Sequence, residues 1–136
     1  MVSFVDRPAV SQSFAERWSR SSVEGGWTVV PNGFYAHYAE LGIKPTEAML
    51  ILHIMARKWD DRRPFPSVAR ISAEMGIGVS QIRAHLASLE RKGFVRRVQR
   101  RGRSNEYDFS PLMEQLDERI DAAMQKRLKE VLQPHS

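Results

Sequence analysis

Residues 64–109 read PFPSVARISAEMGIGVSQIRAHLASLERKGFVRRVQRRGRSNEYDF. The stretch contains two short amphipathic helices, a tight turn between them, and a two-stranded ribbon with an arginine-rich tip. The first helix is expected to start at Ser67, whose hydroxyl can accept from the unpaired amides of the opening turn, and to bury Val68, Ile71 and Met75. It stops at Gly76. Gly76-Ile77-Gly78 sets one apolar residue between two glycines, so the chain can take positive φ while Ile77 plugs the angle between the helices. From Gly78 the second helix, residues 79–92, repeats its apolar residues at Ile82, Leu86 and Leu89, and Gly93 closes it. Two helices joined this tightly have helix-turn-helix geometry. Past Gly93, Phe94 to Val98 and Glu106 to Phe109 are short β-branched or aromatic runs. They flank the polar segment Gln99 to Asn105, which predicts a hairpin with a basic tip.

The order of helix, turn, helix and basic hairpin resembles the winged helix-turn-helix domain, in particular the group found in plasmid and phage replication initiators and in small bacterial regulators. The residues that carry the resemblance are Phe65-Pro66-Ser67, Ile71, Gly76, Gly78, Ile82, Leu86, Leu89, Gly93 and Asn105-Glu106-Tyr107. One position departs from that pattern: Gly78 caps the second helix where serine or threonine is common, and glycine caps nearly as well. The resemblance implies a mainly α fold with a small β-hairpin and a C-terminal helix. It also implies a second helix that reads DNA.

Charge distribution agrees with such a surface. The chain has 136 residues and a net charge of +5. The basic excess sits in residues 44–109, with fourteen Lys/Arg against seven Asp/Glu, and Arg91 to Arg103 hold seven basic residues and no acidic one. A charge run by itself is usually a solvated face, but on a hairpin beside a recognition helix it reads as a phosphate-binding surface. Cysteine is absent, which removes disulfides, zinc-finger spacing and thiol nucleophiles. The sequence carries neither a membrane-length apolar run nor a signal pattern, so a cytoplasmic protein without membrane association is expected.

Outward from the central stretch, residues 1–26 read as a flexible N-terminal arm, with Phe14 and Trp18 expected to pack on the domain. Residues 27–110 read as the winged domain. Within it, Trp27 to Val30 is extended, Phe34 to Leu41 a short helix closed by Gly42, and Pro45 to Lys58 a scaffold helix apolar around most of its circumference. His53 within that helix and His85 on the recognition helix read as packing residues. Asp60-Asp61-Arg62-Arg63-Pro64 is a polar break whose adjacent carboxylates lack a third ligand, so no metal is assigned. Residues 111–136 form the C-terminal helix, with Ser110 as cap and an apolar stripe at Leu112, Leu116, Ile120, Met124, Leu128 and Val131.

The reading is sequence-specific binding of double-stranded DNA. Arg83 is the candidate for guanine and Gln81 for adenine, Ala84 lies on the same face, and Ser67, Ser80 and Arg91 clamp phosphates. Arg100, Arg101 and Arg103 on the wing lie along the backbone or in a minor groove. A homodimer through Leu116, Ile120, Met124 and Leu128 would pair two such domains on one site. Lacking a second functional domain, the chain reads first as a transcriptional regulator and second as a replication initiator or its DNA-binding module. A winged-helix protein adaptor would show an acidic or apolar recognition face, and this face is neither. An enzyme is excluded for want of a phosphate-cradling loop, convergent carboxylates or an activated nucleophile. No cofactor is called for, and the sequence leaves a small-molecule effector open.

Overall fold

The computed structural model describes residues 16–56, 67–99, 101–102 and 105–133. The chain divides into two units, Met1–Val30 and Pro31–Ser136. In the first, residues 16–18 are helical and a short helix α1 spans Arg20–Glu24, opened by Ser19, whose hydroxyl accepts from the Ser22 amide. Trp18 is exposed. Phe14 lies outside the described residues, as do the polar break at 60–64 and wing positions Arg100 and Arg103.

The second unit holds α2 (Asn32–His37), α3 (Pro45–Met55), α4 (Val68–Met75), α5 (Val79–Arg91), the strands β1 (Arg96–Val98) and β2 (Glu106–Asp108), and α6 (Ser110–Leu132). It is mainly helical, with one antiparallel hairpin whose register sets Arg96 against Asp108, Arg97 against Tyr107 and Val98 against Glu106. Helix α5 packs against both α3 and α4, and α2 packs against α6. The core is drawn from every helix of the unit: Phe34, Leu50, Ile51, Ile54, Ile71, Ile82, Leu86, Leu89, Leu112 and Leu116 are buried. Helix α3 has Ala48, Leu50, Ile51 and Ile54 buried while Met49 is exposed, so the apolar scaffold helix covers a core on most of its surface.

The turns follow glycine chemistry where φ demands it. Gly76 closes α4 at φ +70°, and its amide donates to Ser72 O. Gly93, at φ +81°, turns the chain out of α5. Gly78 stays at φ −68°, so only the first glycine of Gly76-Ile77-Gly78 uses the left-handed region. The Ser72 hydroxyl donates to Ile77 O and braces the turn.

Two caps differ from expectation. Ser67 makes no side-chain cap to α4. Ser110 is not the cap of α6 but its first residue, and Asp108 Oδ1 accepts from both the Ser110 amide (3.0 Å) and hydroxyl (2.6 Å). The carboxylate is the better acceptor at a helix N-terminus, where it also meets the favourable end of the macrodipole.

The start of α6 is tied to the end of α5. Leu112 N donates to Phe94 O and Gln115 Nε2 to Gly93 O, each at 3.0 Å. Further along, α6 passes so close to α2 that a Cβ on Gly33 would collide with the Ile120 side chain. Arg119 and Glu40 approach to 3.9 Å beside the His37–Glu40 pair. Leu116 is thus buried within its own chain, which takes it out of the expected dimer seam, and Ile120 is half-buried against α2. Met124, Leu128, Val131 and Leu132 remain exposed.

Among the described residues, one charged side chain is interior. Glu47 is 1% exposed and lies in the first turn of α3. Its Oε1 accepts from Lys44 N (2.9 Å) and Lys92 Nζ (2.7 Å), and its Oε2 from the Ser88 hydroxyl (2.7 Å). Burial alone would raise its pKa, but the bonds from Lys92, Lys44 and Ser88 outweigh it and hold the carboxyl below the usual value. Because the folded value is depressed, the stability this group contributes is present above the unfolded pKa and fades as pH falls below the ordinary 4.5. Glu47→Gln keeps the shape but loses the charge-assisted bonds. It should cost about 1–3 kcal/mol at neutral pH in urea unfolding, and the gap from wild type should shrink on acidification.

Candidate nucleic-acid interface

Helix α5 carries the candidate surface, and its 3.6-residue period sorts its side chains into flanks. Ile82, Leu86 and Leu89 are buried. Ser80, Ala84 and Arg91 are exposed and Ala87 half-buried, a stripe at four- and three-residue steps. The turn Arg101-Gly102 at the hairpin tip is exposed, as are Arg96 and Arg97 on β1. Alternation along the strand puts Arg97 and Tyr107 on one face of the hairpin, while Arg96 belongs to the other.

Between α4, α5 and the hairpin lies an open cleft of about 530 Å³. Ser67, Val68 and Ala69 form one wall, Arg83, Leu86, Ala87 and Glu90 the second, and Arg97, Asn105 and Tyr107 the third. Arg97 Nε and Glu90 Oε1 stand 3.9 Å apart across it. Burial pushes the Tyr107 phenol above its usual pKa; Arg97 and Arg83 oppose that shift and Glu90 adds to it. The phenol is thus a neutral donor at working pH.

The structure brings Ser67, Arg83 and the hairpin together around this cleft, and leaves Ser80, Ala84 and Arg91 on the adjoining exposed stripe. Gln81 has a different role from the one expected. The Gly78 amide donates to its Oε1 at 3.0 Å, the back-reaching half of a capping box. A bidentate contact to adenine needs that oxygen as well as the amide nitrogen, so the free protein does not hold Gln81 ready to read a base. His53 sits 3.2 Å from Glu74 and links α3 to α4. His85 is half-buried.

Arg97, Asn105, Tyr107 and Glu90 were missed as site residues. The signal available was the strand period: once the hairpin register pairs Arg97 with Tyr107, both project on one side. A register cannot be counted reliably across a tip of unknown turn type, which is why the sequence hid it.

Residues 30–127 match the family model described as the DnaD N-terminal domain. The chain belongs to the DnaD N-terminal domain family. That domain is a winged-helix-like, non-catalytic part of the replication initiation protein DnaD. The fold is also that of the crystal structure of the N-terminal domain of the DnaD protein from Geobacillus kaustophilus HTA426, with a TM-score of 0.62 and 20% identity over 88% of this chain and 99% of that one. No curated protein matches. Membership in the DnaD N-terminal domain family favours the replication reading over the transcriptional regulator. Among the described residues, no helix is long and apolar enough to cross a membrane, and no three His, Asp or Glu side chains gather as a metal site.

The Gln81 cap gives a direct test. Gln81→Ala should lower stability by about 0.5–1.5 kcal/mol in thermal melts, the usual net worth of one hydrogen bond. Gln81→Glu, which can still accept from Gly78 N, should retain the stability. Equal melting temperatures for wild type and Gln81→Ala would remove the capping role.

Proposed function

We propose that this protein is a replication-initiation module that binds double-stranded DNA through α5 and the basic hairpin and works as a homodimer. The observation that carries the reading is an exposed stripe on α5, Ser80, Ala84 and Arg91, beside the exposed arginines Arg97 and Arg101 of the hairpin. Small residues at Ala84 and Ala87 let the helix approach a groove closely. Arginines at the end of the helix and on the strands are placed for phosphates. Arg83, on the flank toward the hairpin, and Ser67 at the head of α4 extend that surface. Arg100 and Arg103 add charge to the tip by sequence.

Phosphate contacts make binding salt-dependent through counterion release. Fluorescence anisotropy on duplex DNA at several salt concentrations should give a linear log-log plot. Replacing both Arg97 and Arg101 by alanine should weaken binding to all duplexes alike and flatten the slope by roughly one unit per lost contact. An unchanged slope would take the hairpin off the DNA.

The dimer reading rests on the far half of α6. Met124, Leu128, Val131 and Leu132 are exposed at helical spacing, and full burial is worth about 1.5–3 kcal/mol for each such side chain. Leu128→Glu should convert a light-scattering mass of two chains to one while leaving the circular dichroism spectrum near wild type. A wild-type chain that stays monomeric at high micromolar concentration, free and on DNA, would refute the homodimer.

A further inference from the structure

The cleft between α4, α5 and the hairpin is more than duplex-backbone binding uses. A phosphate on a double helix is met at the surface by a side chain or an amide, and its base stays in the stack. It needs neither depth nor an apolar wall. This cleft has both. Its volume of about 530 Å³ lies within the range of small-molecule sites. Its lining combines apolar groups, Val68 and the half-buried Tyr107 ring, with two guanidinium groups, a carboxamide and a carboxylate.

We propose that the cleft binds one unstacked nucleotide of single-stranded DNA, its base against the Tyr107 ring and its phosphate on Arg83 and Arg97. The two kinds of lining group fit the two parts of that ligand. An aromatic ring held in a strand is a stacking platform for any base, and arginines beside it take the backbone charge. Arg83 has no carboxylate partner among the described residues, so its charge is available to an anion. Arg97 is only loosely engaged by Glu90, at 3.9 Å. Glu90 accepts hydrogen bonds only, which suits the exocyclic amine of cytosine or the N–H edge of guanine, and Asn105 can both donate and accept. An acidic peptide is the poorer occupant: Glu90 would face its carboxylates, and the Tyr107 ring would be left without a flat partner.

The cleft shares Arg83 and Arg97 with the duplex surface, but the Tyr107 ring serves only the strand, so Tyr107 separates the two in solution. The test is anisotropy of the full chain with a short labelled deoxycytidine strand, the same strand made with abasic sugars, and a duplex of equal length. The intact strand should bind saturably and more tightly than the abasic one. Tyr107→Leu should weaken strand binding by about five- to hundredfold, the usual worth of one base stacked on an aromatic, with duplex binding unchanged. Tyr107→Phe keeps the ring and should keep the binding. Arg83→Gln, at an exposed position where folding is not at risk, should weaken intact and abasic strands alike. Equal affinity for intact and abasic strands would reduce the cleft to a phosphate contact and overturn the proposal. So would a Tyr107→Leu protein that loses duplex and strand in the same proportion, or an Arg83-dependent affinity for a glutamate-rich peptide with the strand unbound.

Discussion

The carboxylate of Glu47 is the constraint on which the placement of the surface depends. It sits at the first turn of α3 and reaches forty-one residues along the chain to Ser88 and forty-five to Lys92, both at the end of α5. Lys92 Nζ also donates to Gly42 O at 3.1 Å, which brings the turn before α3 into the same cluster. A buried ion pair is weak as a source of net stability, because desolvation consumes much of the Coulomb gain. Its directionality is what matters here. An apolar contact between α3 and α5 would tolerate a slide or a rotation, whereas two short bonds from Ser88 and Lys92 to one carboxylate fix where the last turn of α5 lies. The hairpin begins a few residues later, and α6 is bonded back to Gly93 and Phe94. The placement of Arg96 and Arg97 on β1 is therefore inherited from the anchored end of α5.

Helix α5 meets four demands with thirteen residues, and helical periodicity keeps them apart. One flank fills the core with Ile82, Leu86 and Leu89. Each end is pinned by a side chain, Gln81 folding back on Gly78 N and Ser88 reaching forward to Glu47. What remains is the open stripe and the flank along the cleft. Not every polar residue of α5 is therefore available to a ligand: two of them, Gln81 and Ser88, hold the helix itself.

The central architecture was legible from Ser67 to Gly93 because it rests on local rules. A glycine is needed at φ +70° after Met75, and apolar residues must recur at three and four to keep one flank of α5 covered. The hairpin was legible too, from its β-branched runs on either side of a glycine-containing tip. What escaped was long-range or competitive. Nothing in the local pattern says that Glu47 is interior, since glutamate in a first turn is ordinarily a solvated helix-dipole partner. Ser110 and Asp108 are both good capping residues two positions apart, and the carboxylate won. Arg83 was picked out from its place near the start of the helix, but the wall it shares with Tyr107 exists only once the hairpin folds across α5. The choice between regulator and initiator was never a property of these residues alone, because one fold serves both; family membership decided its direction.

The C-terminal helix shows the same limit in its plainest form. Its apolar residues form an unbroken stripe in sequence, yet the stripe has two destinations. Up to Ile120 it is matched by the chain's own α2, where Gly33 gives up a side chain so that the helices can close. From Met124 onward the described residues leave it uncovered. Those last turns would be marginal as an isolated peptide, since starting a helix orders several residues for one hydrogen bond. Here the docked half has already met that nucleation cost, and each further residue adds its own bond. The distal half can therefore stand as a helix before anything covers it, and a partner that binds there meets a surface already in shape. Periodicity establishes that a face will be buried; only packing distinguishes a face covered by its own chain from one left for another.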